Sequence, residues 1–500
     1  MTETATLEAV TTTSGRVSGI ARDKHLVFLG IPYAKAKRFA APEAPDSWSG
    51  VRRADTIGLA APQTVHPIPG FSASGPQGED CLNLNVFTPA TDSKRRPVMF
   101  WIHGGGFTAG AGYEPLYNGR SLAVRGDVVV VTINYRLGAL GFLRLPEIGA
   151  HGNQGLLDCI AALRWTRDNI RAFGGDPEQV TIFGESAGSA AVCCLLGMPA
   201  ARGLFRRAIL QSGAGRAAKP EAADKIADAT LRQLSFDRSK ASELSKLDAQ
   251  KIVEAQAAVL ERVATGFGRG FGPVQDPKVL PAEPLQMIRD GAAKAIDIVI
   301  GTTRDETKRF VPLKRDPIDD ETLAKAICAN LPNANDASAR KLAETYRASR
   351  KSNGLPTDNL DMLDAVETDV RFRIPSLRLA LAQRAAGGNA YVYLFTHASP
   401  ARRGTLGACH ALELAFVFGT LDAPTQDRFA GTGPDVERLS RDMMDAWLAF
   451  SQTGDPAAKA VGAWSNYDDR QRPTMVFDTR ASRQENDPFG DERRALEALL

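Results

Sequence analysis

A serine stands between two glycines at residues 184–188, where the sequence reads GESAG and matches the spacing GxSxG. The apolar run 180–183 (VTIF) precedes this segment, and small and apolar residues follow it over 187–196, which favours a strand, a tight turn and a helix. Such a turn needs glycines because neighbouring backbone approaches closely, and it leaves the serine oxygen exposed. The positive end of the helix dipole lies behind that oxygen. The pattern predicts that Ser186 is a nucleophile.

A second glycine-rich segment, HGGG at residues 103–106, directly follows the apolar run 97–102. Because glycine has no Cβ, the backbone N–H groups of such a loop can turn towards a substrate. A loop of this kind at the end of a strand is typical of an oxyanion hole, which stabilises a tetrahedral intermediate. We expect Gly105, Gly106 and Ala187 to supply the N–H donors, the alternative being a merely flexible loop.

A serine nucleophile needs a base, and the chain has six histidines. If the order serine, acid, histidine of α/β-hydrolases applies, only His397 and His410 lie downstream of a plausible acid. His397 ends the strand-like run 390–395, and His410 precedes the apolar segment 412–418. Both positions suit a catalytic loop, so the residues alone leave the base open.

The residues alone also leave open which carboxylate is the catalytic acid. Asp305 and Glu306 are adjacent, and both follow the apolar run 296–300 and Gly301. Either carboxylate could lie at the carboxyl edge of the sheet, where α/β proteins bind ligands. The alternative is a solvated loop or the first turn of a helix.

The elements that must position these groups alternate in the first half of the chain. The runs 97–102 (PVMFWI) and 128–133 (VVVVTI) are apolar throughout, as expected for strands covered on both faces. Apolar residues recur at helical spacing over 156–170, before the strand-like run 180–183. Alternating strands and helices predict a mostly parallel sheet with helices on both faces.

Amphipathic segments rich in Ala, Leu, Glu, Lys and Arg interrupt this pattern in the second half. These segments are 222–234, 249–263 and about 321–350. We expect one α/β domain over 1–500, in which approximately 216–294 and 307–385 are helical insertions that form a cap over the active face. Plain outer-layer helices are the alternative.

The composition is that of a globular chain, with 43% hydrophobic and 24% charged residues. A net charge of +3 is too small to suggest a nucleic-acid or membrane-surface partner. No apolar run approaches the ~20 residues of a membrane-spanning helix. The expected partner is a small molecule, and the expected assembly is a monomer or weak homo-oligomer.

The cysteines show neither CxxC pairs nor metal-ligand spacing, so we expect no metal and no cofactor. They are Cys81, Cys159, Cys193, Cys194, Cys328 and Cys409. Residues 1–30 lack the charged and then apolar pattern of a secretory signal. Together these features favour the cytoplasm.

The whole chain resembles the type-B carboxylesterase (cholinesterase-like) family of α/β-hydrolases. The segments that carry the resemblance, besides 184–188, are GIPYA at 30–34, EDCLNLNV at 79–86, NYR at 134–136, NQGL at 153–156, FGGDP at 173–177, QSG at 211–213, Trp447 and TGDP at 453–456. So many motifs in one order are specific to the family.

The resemblance implies the α/β-hydrolase fold, with Ser186 as nucleophile, Glu306 as acid and His410 as base. The implied activity is that of a serine carboxylesterase acting on short- to medium-chain esters through an acyl-enzyme. A carbamate or amide hydrolase would use the same triad. A non-catalytic binding protein on this fold is the remaining alternative, which the complete triad disfavours.

The sequence departs from the family at several points, and three of these concern single residues. Thr307 stands after the acid, where the family usually has Gly. Cys81 has no upstream cysteine, with which secreted members pair the matching residue. Phe71 stands ten residues before Cys81 in place of a tryptophan, which disfavours cation–π binding of choline esters.

Overall fold

A computed structural model describes residues 9–65, 72–263, 270–312 and 314–500, with the side chain of Val263 left out. The strands in this part of the chain are β1 (Val10–Thr12), β2 (Gly15–Ser18), β3 (Ile20–Arg22), β4 (His25–Pro32), β5 (Val51–Arg53), β6 (Asn83–Thr88), β7 (Arg96–Ile102), β8 (Val129–Ile133), β9 (Arg144–Leu145), β10 (Ala150–His151), β11 (Gly175–Glu185), β12 (Arg207–Gln211), β13 (Asp297–Thr303), β14 (Ala390–Phe395), β15 (Pro473–Phe477) and β16 (Arg483–Asn486).

The α-helices of the same ranges cover both faces of the main sheet. They are α1 (Arg120–Gly126), α2 (Gly138–Phe142), α3 (Gln154–Asn169), α4 (Ala187–Gly197), α5 (Pro220–Gln233), α6 (Ala249–Val263), α7 (Pro284–Arg289), α8 (Asp320–Asn330), α9 (Asp336–Ser352), α10 (Asn359–Thr368), α11 (Ile374–Ala385), α12 (Leu414–Phe418), α13 (Gln426–Phe429), α14 (Pro434–Thr453) and α15 (Gly490–Glu497). Short 3₁₀ segments are Pro115–Tyr117, Pro146–Ile148, Ile170–Phe173, Pro199–Ala201, Arg238–Lys246, Glu306–Arg309 and Ala401–Gly404, and Asp369–Arg373 is π-helical.

Within the described ranges, 11 strands form one sheet in the order β16-β15-β14-β13-β12-β11-β7-β8-β6-β4-β3. The strands from β15 to β8 in this order are parallel, and antiparallel strands flank them on both sides. The predicted mostly parallel sheet is confirmed. Because parallel strands end at the same edge, the residues after β7, β11 and β13 meet there.

The apolar runs are continuous because both faces of the sheet are buried. In β7, Phe100 and Ile102 belong to the core on one face, and Met99 and Trp101 to the core on the other. Side chains alternate across a strand, so a strand covered on both sides needs apolar residues at every position. The ring centroid of Trp101 lies 4.9 Å from that of Phe418, in the helical layer over its face.

The boundaries differ from the sequence-based expectation at two strands. β11 begins at Gly175, upstream of the strand-like run 180–183, and its pairing with β7 is irregular between Gly175 and Val180. β13 runs on to Thr303, past Gly301. This extension brings Asp305 and Glu306 close to the strand end.

The predicted insertions contain helices, but different helices pack against different parts of the α/β domain. Over 307–385, α11 packs on β13 and β14, and α10 packs on the turn Glu306–Arg309. Over 216–294, α7 packs on α4 and α11. No helix in the described ranges is long and apolar enough to cross a membrane.

Candidate active site

Ser186 lies in a sharp turn between β11 and α4. Its φ of 56° and ψ of −120° fall in a region that non-glycine residues rarely adopt. The Ser186 N–H donates to the carbonyl of Gln211 at the end of β12, over 2.8 Å. A Cβ on Gly188 would lie 2.0 Å from the carbonyl oxygen of Ile102, so only glycine fits there. The GxSxG pattern therefore reflects close backbone approach, and it holds the serine at the carboxyl edge of the sheet.

The glycine loop after β7 lies beside this turn. A Cβ on Gly104 would be 3.1 Å from the Cβ of Ser186. Gly105 has a φ of 109°, and a Cβ there would be 2.1 Å from the carbonyl oxygen of Ala109. Among the residues the structure describes, the N–H groups of Gly105 and Gly106 have no assigned acceptor. The loop can therefore donate hydrogen bonds to a substrate oxygen.

The side chains of Glu306 and His410 are in contact in the interior. Glu306 Oε2 lies 2.5 Å from His410 Nδ1, and both residues are fully buried. The N–H of Thr303, the last residue of β13, donates to the other carboxylate oxygen, Oε1, over 2.8 Å. The rings of Phe310 and Phe372 pack on the imidazole, with centroids 4.9 and 5.2 Å from its own. The carboxylate and the imidazole are therefore held in one orientation.

The neighbouring candidate acid, Asp305, has other partners. Its carboxylate forms ion pairs with Arg304 at 2.9 Å and with Arg350 at 3.2 Å, and it accepts from the Ala408 N–H at 2.9 Å. Burial acts to raise the pKa of Asp305, but Arg304, Arg350 and Lys308 hold it well below its usual range. Asp305 is thus a fixed anion that ties the loop before His410 to the end of β13.

The other candidate base, His397, lies apart from these carboxylates. Its Nε2 is 2.9 Å from the carbonyl oxygen of Ala430, and its Nδ1 is 3.3 Å from Thr479 Oγ1. Burial lowers the pKa of His397. The structure brings His410, and not His397, to Glu306.

Two carboxylates near the imidazole were not singled out from the sequence. Glu185 Oε1 lies 2.9 Å from His410 Nε2, and the buried Glu413 accepts from Gln211 Nε2 over 3.2 Å. Burial acts to lower the pKa of His410, but Glu185 and Glu306 raise it to about 10. Burial, Glu185 and Glu306 raise the pKa of Glu413 to about 8. The position of Glu185 directly before the serine was the one signal in the sequence.

Thr307, which replaces the usual glycine after the acid, is buried and hydrogen-bonded. Its hydroxyl donates to the carbonyl of Asp364 over 2.8 Å and lies 3.1 Å from Thr368 Oγ1. These contacts fasten the turn that carries Glu306 to α10. Of the other two departures, Cys81 is a free thiol, as are the other five cysteines, and Phe71 lies outside the described residues.

A cavity of about 940 Å³ opens beside the serine turn. Gly104, Gly105 and Glu185 are among its lining residues, as are Leu406 and Phe429. Ser186 is 7% exposed, so a substrate must enter the protein to reach it. The volume lies in the range of small-molecule sites.

A serine in a strand–helix turn and a buried carboxylate–imidazole pair, both at the carboxyl edge of a mostly parallel sheet, define an α/β-hydrolase. The sequence model of the carboxylesterase family matches residues 6–493. The chain therefore belongs to the carboxylesterase family, and it is a serine carboxylesterase.

Individual relatives agree. The chain is 40% identical to the para-nitrobenzyl esterase of Bacillus subtilis (strain 168), over 98% of this chain and 99% of that protein. It is 36% identical to the phenmedipham hydrolase of Pseudarthrobacter oxydans, over 91% and 92% of the two chains. The solved carboxylesterase Est55 of Geobacillus stearothermophilus superposes with a TM-score of 0.86 at 39% identity, covering 98% of this chain and 99% of that one.

Proposed function

We propose that Ser186, His410 and Glu306 form the catalytic triad of this carboxylesterase. Ser186 Oγ attacks the ester carbonyl, and His410 Nε2 accepts its proton and then gives it to the leaving alcohol. Water, activated by the same imidazole, hydrolyses the acyl-enzyme and restores the serine. The contact of 2.5 Å between Glu306 Oε2 and His410 Nδ1 is the observation that carries this proposal.

Glu306 acts as the group that fixes the tautomer and stabilises the imidazolium. Glu185, 2.9 Å from His410 Nε2, adds a second negative charge to the same field. The N–H groups of Gly105, Gly106 and Ala187 stabilise the oxyanion of the tetrahedral intermediate. The position of the glycine loop beside the Ser186 turn supports this assignment.

The substrates are short- to medium-chain esters. Support comes from the buried serine and from a cavity of about 940 Å³. Rates for a series of soluble 4-nitrophenyl esters of rising chain length test this, with matched carbamates and amides included. Faster turnover of an emulsified long-chain triglyceride than of the butyrate ester would contradict it.

The triad is tested by covalent labelling. An organophosphate should form one phosphorus–oxygen bond at Ser186 with loss of its leaving group, and Ser186→Ala should lower kcat by at least about 10³-fold. Ser245→Ala is the matched control, because Ser245 is exposed and its hydroxyl donates to the nearby Ser242 carbonyl. An adduct at another residue, or full activity of Ser186→Ala, would overturn the assignment.

Three further expectations stay proposals. We propose that the insertion helices over 216–294 and 307–385, apart from α7, α10 and α11, cap the active face. We also propose that the protein works in the cytoplasm. Its proposed assembly is a monomer or weak homo-oligomer. Six free thiols support a reducing compartment. Cell fractionation and light scattering after size-exclusion chromatography test the last two.

A further inference from the structure

The proposed mechanism places the leaving group of the ester in the cavity beside Ser186. Glu185 lines this cavity and also lies 2.9 Å from His410 Nε2. In the proposed mechanism, Nε2 delivers the proton to the departing oxygen, so the departing alcohol lies on this side. What else lines the cavity therefore decides which alcohols it accepts.

Arg309 contributes a cation to the wall of this cavity. It lies in the turn Glu306–Arg309, which begins at the acid and is fastened to α10 by Thr307. Its guanidinium carbon is 4.1 Å from the centroid of the Phe429 ring. A guanidinium stacked on a ring keeps the N–H donors in its own plane for a carboxylate, and it stays charged at any working pH. Arg402, on the exposed rim, adds a second cation.

Carboxylates also line the cavity, and the structure shows partners for two of them, Glu114 and Glu185. Glu114 accepts from the backbone N–H of Ser74 over 2.8 Å. Glu185 faces His410, which carries the positive charge in the transition state. Asp427 lies at the exposed rim beside Arg428 in sequence. Arg309 itself lies near Cys409 and Glu185, and its guanidinium, with five N–H donors, can also bind an anion on the leaving group.

We infer that Arg309 makes this cavity a subsite for a carboxylate on the leaving alcohol or phenol. The preferred substrates are then esters in which the hydroxyl group of a hydroxy acid is acylated and its carboxylate is free. This inference rests on the proposed function, because it needs Ser186 chemistry at the same site. Arg309 acts on specificity and takes no part in bond breaking.

The test compares 4-acetoxybenzoate with its neutral isostere 4-acetoxybenzamide, which share the acetyl group and differ in charge. The ratio of kcat/KM for the acid to that for the amide should fall at least about 10-fold in Arg309→Gln, and less in Arg309→Lys. Comparing this ratio between the wild type and a variant cancels the intrinsic reactivities of the two esters. The matched control is Arg232→Gln, at an exposed position near the end of α5, which should leave the ratio unchanged.

A second measurement needs no variant. 4-Hydroxybenzoate should inhibit the wild-type enzyme at least about 10-fold more strongly than 4-hydroxybenzamide, so the inference can be decided even if Arg309→Gln does not fold. Equal inhibition, or a ratio that Arg309→Gln leaves unchanged, would overturn it. If neither ester is cleaved in a Ser186-dependent way, the proposed function itself fails, which is a distinct result.

Discussion

Replacing Glu306 by glutamine removes one charge from the buried carboxylate–imidazole pair while keeping its size. Two opposite unit charges about 4 Å apart attract by about 4 kcal/mol at an effective dielectric constant of about 20. Each 1.36 kcal/mol corresponds to a factor of about ten in rate, so the lost attraction amounts to about 10³-fold. In this variant Glu185 still supplies a negative charge near the imidazolium, which reduces the loss of kcat. A wrong tautomer at His410 increases that loss. We expect kcat to fall by about 10² to 10⁴-fold, with KM and the fold nearly intact.

The neighbouring carboxylate gives the contrasting result. Asp305→Asn should leave kcat within about threefold of the wild type, because its partners are Arg304, Arg350 and the Ala408 N–H. It should instead lower the thermal midpoint, since breaking a buried ion pair costs about 3–5 kcal/mol. His397→Gln should behave like Asp305→Asn.

The assay is the initial rate on a soluble 4-nitrophenyl butyrate over a range of concentrations, with a thermal melt of each variant. His410→Gln completes the set and should lose as much kcat as Glu306→Gln. The assignment of the acid is wrong if Asp305→Asn loses more kcat than Glu306→Gln does, at an unchanged melting temperature. The assignment of the base is wrong if His397→Gln is inactive while His410→Gln works.

Three more predictions concern the surroundings of this pair. Because carboxylates raise the pKa of His410, the acid limb of kcat/KM should lie above the ordinary histidine value of about 6.5, and a pH profile of Glu185→Gln should show it at lower pH. A strong reductant should leave the thermal midpoint unchanged, because Cys81 and the other cysteines are free thiols; a fall of several degrees would reveal a disulfide. Thr307→Gly should lower the free energy of unfolding by about 1–3 kcal/mol in a denaturant titration, since it loses the bond to Asp364; an unchanged midpoint would contradict this.

Local pattern was enough to predict the sheet and the serine turn. β7 is apolar throughout because both faces of the sheet are buried, and residue 188 must be glycine because backbone approaches it closely. Both features can therefore be recognised from residues that are close in sequence. The choice between Asp305 and Glu306 was not local. It depends on where β13 ends and on Arg350, which lies 45 residues further along the chain. Only the family resemblance favoured Glu306 from the sequence.

The residues that sequence reasoning missed are charged groups whose role depends on burial. Glu185, Glu413 and Arg309 belong to residue types that are mostly solvent-exposed, and nothing in the spacing of Glu413 and Arg309 separates them from exposed residues, whereas Glu185 directly precedes Ser186. Folding removes them from water beside one imidazole or one cavity, and this burial raises the pKa of Glu413 and lowers the pKa of Arg309. Such roles follow from the tertiary contacts alone.

The carboxylates around His410 have two opposing effects on the reaction. By favouring the imidazolium, Glu185 and Glu306 stabilise the transition state, in which the histidine carries the serine proton. By raising the pKa of His410, the same charges reduce the fraction of neutral base at neutral pH. The acidic surroundings also repel an anionic leaving group, and Arg309 on the wall of the same cavity opposes that repulsion. Removing Glu185 should therefore improve the turnover of an anionic ester relative to a neutral one, while removing Arg309 should do the reverse.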